Sequence, residues 1–549
     1  MKTRRITAAV AATVLAALAF AACRASTDSI PPVVSAAVPV ISTQPHGGSY
    51  GLGGLVALTV AASVSDDGTL SYQWYSNAAD SNQNGTKIDG ADQASYTPPT
   101  DTLGTLWYYV VVTNTITNNS GGGSKTAARA SDTAKISVKT APAVTAWPTS
   151  TSVTYGAELS TSNLNGGSAD VAGTFSWTDG AIIPTVVNDG YSVTFTPEDT
   201  EDYGVITHTV DITVNKADPV VTWPIDLTAI YEQTLSDIAL PGNGTGNPAG
   251  TFAWATSSTP LAALGRQLHS MTFTINDNYN VATYDVSILV RLGVEMMPIP
   301  AGTFTMGSPE DEPGRGDQGE TEHTVKLTAF YMGKYQITQA QYQAVMGTNP
   351  SYFNANPASE EIQSKRPVDT VNWYNAVEFC NRLSEKEELQ PVYTINGTTV
   401  TASWSNNGYR LPTEAQWEYA CRAGTTTAYY DELPLSNGTG WYDSNSENKT
   451  HQVGLKPANK WGLHDMAGNV HEWCWDWLGP YPSVEETDPT GPVTSSSTLR
   501  RVLRGGSWSY PGWRMRSADR GFSTPQTASV TPITGSGRDG FGFRVARSE

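Results

Sequence analysis

The sequence predicts a multidomain protein in which all-β sandwiches are followed by an α+β, loop-rich domain. A unit that opens TAWPTSTSVTYGAELS (145–160) recurs as VTWPIDLTAIYEQTLS (221–236), with Trp147/Trp223, Tyr155/Tyr231 and Leu159/Leu235 each 76 residues apart. Up to about residue 292, β-branched and aromatic residues alternate with polar ones and then break at Gly or Asn, the pattern of short sandwich strands. From residue 293 onward helix-start signals set in, and a chain of 549 residues is too long for one core.

The first 22 residues read as an export signal. MKTRR gives a positive start, an apolar run follows, and Cys23 comes after small residues. Ala21-Ala22-Cys23 resembles the end of a bacterial lipoprotein signal, with Phe20 where Leu is usual; the alternative is an ordinary cleaved signal. Lipidation at Cys23 implies an exported protein, lipid-anchored in the bacterial cell envelope at the cell surface, since several acyl chains at ~0.8 kcal/mol per CH₂ anchor lastingly. The anchor is the expected membrane contact, because no second apolar stretch is long enough to span a bilayer. Residues 23–40, rich in Ala, Ser, Pro and Val, read as a tether.

Residues 41–139 place Trp74 on a strand (LSYQWY) and Tyr108 two residues before Val110 in GTLWYYVVV. This resembles an immunoglobulin-like sandwich with Trp74 in the core and Tyr108 at its tyrosine corner. Val110 stands where the second cysteine of antibody domains falls, so aliphatic packing replaces a bridge. Residues 140–216 and 217–292 are the two repeats. AGTFSW at 172 returns as AGTFAW at 249, and VTFT at 193 as MTFT at 271. They resemble bacterial immunoglobulin-like repeats and hold no catalytic constellation, so all three modules read as a stalk.

Composition narrows the function. A net charge of −19 argues against nucleic acid as a partner, because phosphate contacts need a positive field. The end from Arg500 to Glu549 is the exception, with nine Arg against three acids. Most of those guanidiniums are expected to brace a loop-rich fold, given how many donors each carries. Besides Cys23, the cysteines are Cys380, Cys421 and Cys474, an odd number in an oxidising compartment. No CxxC pair or His cluster accompanies them, which argues against zinc.

In residues 293–549, Thr338-Gln339-Ala340-Gln341 and Thr413-Glu414-Ala415-Gln416 match the capping box, and Gly347 is a candidate stop for the first helix. In VNWYNAVEFCNRLSEK, Trp373, Ala376, Val377, Cys380 and Leu383 recur at helical spacing, which puts Cys380 in a core. The motifs PIPAGTFTMGS (298–308), RPVDTVNWYNAVEFC (366–380), GYRLPTEAQWEYACRAG (408–424), WGLHDMAGNVHEW (461–473), RVLRGGSW (501–508) and GFRVAR (542–547) together resemble the formylglycine-generating-enzyme, or sulfatase-modifying-factor, family. The resemblance implies a variant of the C-type-lectin-like fold.

The oxidases of that family carry a cysteine pair shortly after the GGS motif, which binds Cu(I). Soft thiolates suit that ion. Here the first position falls at about Tyr510 and the second between Tyr510 and Arg514, and neither is Cys. No copper is therefore expected, and no catalytic residue is assigned. Two disulfides of some relatives also lose a partner each, with Cys421 implied to face Ser517 and Cys380 to face Val545. The resemblance further implies a structural Ca²⁺ with side-chain oxygens from Asp465 and Glu472 and carbonyls from Gly468 and Val470, plus a second calcium site near 441–450. Such mixed oxygen sets suit Ca²⁺.

In place of the thiols stand Trp508, Ser509, Tyr510, Pro511, Trp513, Arg514, Asp519, Phe522, Ser523 and Thr524, residue types that make adaptable binding surfaces. This resembles another branch of the fold, the ligand-binding variable proteins diversified by retroelements, whose variable segment lies between GGSW and GFRV. The expected partner is a protein or glycan. The alternative is a divergent oxidase of the family, or another protein-modifying enzyme within it, acting on exported substrates. GSGRDG (535–540) fits GxGxxG, but the strand-like FGFRV follows it where a dinucleotide site needs a helix.

Overall fold

The computed structural model describes residues 33–118, 122–240, 242–316, 319–431, 438–493, 499–528 and 540–549. The export signal, Cys23 and most of the tether lie outside the described residues. The chain divides into two compact units, 1–217 and 218–549.

In the first unit, one sheet runs through β1 (Gly48–Gly51), β2 (Thr69–Asn77), β3 (Thr86–Lys87), β4 (Gly104–Thr115), β5 (Thr126–Ala130) and β6 (Ala134–Lys139), in the order β1-β6-β4-β2-β3, with β5 also pairing β4. Trp74 is fully buried opposite Val110, and Tyr108 is buried beside Tyr96, so aliphatic and aromatic packing fills the place of a disulfide. The first repeat supplies β7 (Gly173–Trp177), β8 (Tyr191–Pro197) and β9 (Ile206–Val210), an antiparallel sheet.

The second unit opens with the second repeat: β10 (Leu227–Ile230), β11 (Thr251–Trp254), β12 (Gly265–Thr274) and β13 (Ala282–Arg291), ordered β10-β13-β12-β11. The repeat seen in the sequence is a repeat of packing. Phe175 pairs Phe195 across β7–β8 as Phe252 pairs Phe273 across β11–β12. Trp147 stands edge-on to Phe175 as Trp223 does to Phe252, at 5.5 and 5.8 Å. Leu159 and Leu235 are both buried in short 3₁₀ turns.

The head follows, with β14 (Met296–Ile299), β15 (Gly302–Met306), β16 (His323–Leu327), β17 (Phe330–Gly333), α1 (Gln339–Met346), α2 (Trp373–Lys386), α3 (Glu414–Arg422), β18 (His471–Trp477), β19 (Glu486–Thr487), β20 (Arg501–Arg504), β21 (Gly521–Ser523), β22 (Phe541–Gly542) and β23 (Ala546–Ser548). They form three small sheets, β14-β17-β23, β15-β16-β19 and β21-β20-β18-β22, and a two-stranded hairpin (Tyr393–Asn396 with Thr399–Ala402) follows α2. The β21-β20-β18-β22 sheet divides the core. Neighbouring strand residues point to opposite faces, so Trp473 and Leu503 join the cluster around α2 while Cys474 and Val502 join the cluster around α3.

Both expected capping boxes form, at Thr338/Gln341 and Thr413/Gln416, and Gly347 ends α1 in the left-handed conformation. Cys380 is fully buried on α2. The second repeat is fastened to the head: the Leu292 side chain enters the α2 cluster, its N–H donates to Glu387 at 2.9 Å, and Arg266 pairs with Glu388.

Candidate functional site

The RGGSW turn rests on a buried ion network. Every residue of α3 is buried, and its two acids and one base need partners there. Glu418 takes Arg422 and Arg504; Glu414 takes Arg504 and, through two bonds of 2.8 and 2.7 Å, Arg520. Arg516 bonds Glu320 through both terminal nitrogens at 2.9 and 3.0 Å, and Arg544 forks onto Glu472. Arg501 lies 3.8 and 3.6 Å from the Trp373 and Trp477 rings. Five of the nine C-terminal Arg are thus interior braces. Gly505 and Gly506 turn the chain at φ 88° and 69°, and a Cβ on Gly506 would lie 2.2 Å from the Met515 methyl.

Beyond the turn the backbone is pinned to the calcium-type loop and to segment 441–450. Gly468 N–H donates to Gly505, Trp508 N–H to Asn469, Ser446 Oγ–H to Trp508 and Asp443 N–H to Tyr510. The Ser446 side chain therefore serves the turn, a role the sequence did not announce, while Asn445 holds its own segment together through Gly440 and Tyr442.

The ten expected contact residues divide by depth. Trp508 and Asp519 are buried, 5 % and 1 % exposed, and support the loop from beneath instead of facing outward, because Phe353 covers the indole edge and Arg514 and Arg516 draw the carboxylate inward. Burial pushes the Asp519 carboxyl up to about 6. Ser509, Tyr510 and Pro511 are half-buried, with the Tyr510 ring edge-on to His471 at 4.9 Å. Trp513 is 42 % exposed on a 3₁₀ turn (Gly512–Met515), and the Arg514 guanidinium lies 4.4 Å from its ring. Phe522, Ser523 and Thr524 form a second group on and after β21, where Arg500 sits 4.5 Å from the Phe522 ring.

Sequence reading missed the neighbour of Trp513. A polar groove of about 450 Å³ lies in 310–319, lined by Glu310, Asp311, Glu312 and Arg315. A Cβ on Gly314 there would lie 2.8 Å from that of Trp513. The run PEDEPGRGDQGE was the available signal.

The three described thiols are buried and free. Burial raises Cys421 to about 12, and its Sγ lies 3.5 Å from Ser517 Oγ, the facing implied by the family resemblance. Cys380 and Val545 share the α2 cluster.

The calcium-type loop has an excess of acceptors. Gln336 Nε2 meets the carbonyls of Asp465, Gly468 and Val470 at 3.2 Å each and Glu472 Oε1 at 2.9 Å. One amide nitrogen has two hydrogens for these four oxygens. Asp465 Oδ1 and Gln336 Oε1 are buried without a donor. Arg544 and Trp417 already donate to Glu472, but the three carbonyls and Asp465 Oδ1 remain an oxygen-rich, donor-poor set of the kind that fits a hard cation. Asp465 enters the cradle through its carbonyl, while its Oδ2 accepts from Gly454 N–H at 2.7 Å. Gln336 carried no signal in the sequence.

A loop-rich domain with few helices, small sheets and a GGSW turn held by interior arginines defines a C-type-lectin-like head. Residues 290–549 match the sulfatase-modifying factor enzyme 1-like domain. The chain is 37 % identical to the chaperone protein LppX of Paenibacillus barcinonensis over 35 % of its length and 77 % of that relative. It is 30 % identical to the formylglycine-generating enzyme of Mus musculus, over 43 % and 72 %. Treponema denticola variable protein 1 aligns with 34 % identity and a TM-score of 0.41, covering 51 % of this chain and 99 % of that one. Through its C-terminal half, the chain belongs to the formylglycine-generating-enzyme, or sulfatase-modifying-factor, family.

Proposed function

We propose that this is an exported, lipid-anchored envelope protein that displays a non-oxidising, ligand-binding head on immunoglobulin-like modules. The reading rests chiefly on one observation: from Arg504 to Glu549 the chain has no cysteine, and the loop where the family's oxidases carry their thiols presents Tyr510, Trp513 and Arg514 instead. A thioether such as Met515 is no thiolate nucleophile. The exposed Trp513 with the half-buried Arg514 beside it suits a protein or glycan partner, since such residues dominate contact energies. A relative named as a chaperone favours a protein. Diversification of 508–541 by a retroelement belongs to the same reading, and paralogues that differ mainly within that segment would support it.

The test is a glycan and protein panel screened with the full chain, followed by joint alanine substitution of Tyr510, Trp513 and Arg514. Abolished binding with an unchanged melting temperature is expected; unchanged affinity refutes the assignment. The family membership itself favours the oxidase alternative. Incubation with a CxPxR peptide and Cu(I) followed by mass spectrometry decides it, because an aldehyde product would replace the binding reading.

Calcium is part of the proposal, held by side-chain oxygens of Asp465 and Glu472 and by the carbonyls of Gly468 and Val470, with the Asp465 carbonyl beside them, and serving to fix the loop under the RGGSW turn. Adding CaCl₂ to chelator-treated protein is expected to raise the melting temperature, and a Glu472→Gln variant to lose that response.

A further inference from the structure

A cavity of about 300 Å³ opens among β15, β16, the first turn of α3, β18 and the segment 479–492. Pro480, Pro482, Pro489 and Pro492 form much of its wall, with Met306 and the Tyr481 ring. The polar groups are unbalanced. Asp476 is 4 % exposed, and its Oδ2 accepts from Glu414 N–H at 2.8 Å; among the described residues nothing donates to Oδ1. Glu486 has no side-chain partner among the described residues. His323 also lines the cavity, with its Nδ1 3.2 Å from the Thr321 carbonyl and donating to it.

The donors that line the cavity are already engaged. Arg520 is spent on Glu414 and on the Gly479 carbonyl, and the Tyr481 hydroxyl donates to Glu414 at 2.9 Å. The cavity therefore offers carboxyl oxygens, those of Asp476 and Glu486, and a hydrocarbon wall. Its occupant must bring several donors, a positive charge and methylenes. An ammonium head has three donors on a flexible apolar stem.

We propose that this cavity binds a primary alkylammonium group, carried either by a lysine side chain of a partner or by a free diamine. The site is separate from the Trp513 surface and does not depend on that reading. The experiment is calorimetric titration of the full chain with 1,5-diaminopentane, with Nα-acetyl-lysine methylamide and with n-pentanol. Saturable binding of at least one amine and none of the alcohol is expected. Preference between the two amines identifies the source.

Asp476→Asn keeps the oxygen that caps Glu414 N–H and removes the charge, so at pH 8 it should bind about tenfold more weakly, the equivalent of one charge-assisted hydrogen bond. Glu486→Gln, at a half-buried position, should weaken binding in the same direction and serves if the first variant does not fold. The joint Tyr510, Trp513 and Arg514 alanine variant should bind the amine as the parent does. Equal binding of the alcohol, no saturation by either amine, or undiminished affinity in a folded Asp476→Asn or Glu486→Gln variant would overturn the proposal.

Discussion

At the scale of single residues, Cys421 and Ser517 make the most direct prediction. Their side-chain atoms lie 3.5 Å apart, at positions 96 residues apart in sequence. Ser517→Cys under oxidising conditions should lose two hydrogens by mass spectrometry and gain stability, since closing so long a loop is worth about 2–4 kcal/mol. A free thiol at both positions after oxidation would show that the backbones are held too far apart. This facing was legible because the family resemblance implies it: Cys421 lies within one motif, and Ser517 lies between RVLRGGSW and GFRVAR. The depth of Trp508 and Asp519 was not. Their burial depends on Phe353, which is remote in sequence, and on Arg514 and Arg516, whose direction no local pattern encodes. Gln336 was silent for a similar reason: its four acceptors lie well over a hundred residues away.

At the scale of elements, α3 is the piece on which the head depends. Its start was written in Thr413 and Gln416, and its capping box forms. Its total burial was not legible, since Glu414, Glu418 and Arg422 suggest a wetted face until Arg504 and Arg520 arrive from the C-terminal segment. Glu418→Gln leaves two buried guanidiniums short of charge and should cost about 3–5 kcal/mol, measured by chemical denaturation. A loss of under about 1 kcal/mol would mean that the guanidiniums find other acceptors. Thr413→Ala, which removes only the cap, should cost about 1 kcal/mol. The two values together separate the network from the helix end.

At the scale of the whole molecule, the repeats were read from sequence because each is built from the same aromatic contacts at the same spacing. The fastening of the second repeat to the head was not, since it runs through Leu292 at the junction. Leu292→Ala should destabilise the second unit by about 2–5 kcal/mol, and the loss should be seen in the head's tryptophan fluorescence. Stability should also carry the mark of Asp476. Burial, then the nearby Glu414, raises its carboxyl to about 7 against opposing effects from the Glu414 N–H, Arg501 and Arg520. Glu486 and His323 also line its cavity. A raised carboxyl contributes stability that is present below the ordinary value near 3.8 and lost as pH climbs through 7. The melting temperature of Asp476→Asn relative to the parent should therefore increase from pH 4 to pH 8, and a flat difference would contradict it. The arginine braces have one more consequence. Arg504, Arg516 and Arg520 are anchored by Glu418, Glu320 and Glu414, none of which lies between residues 505 and 515. The chassis is bolted together outside the insert it carries, so new side chains from Ser509 to Trp513 would leave all three of these pairs in place, whereas Arg514, which holds Asp519, belongs to the mount.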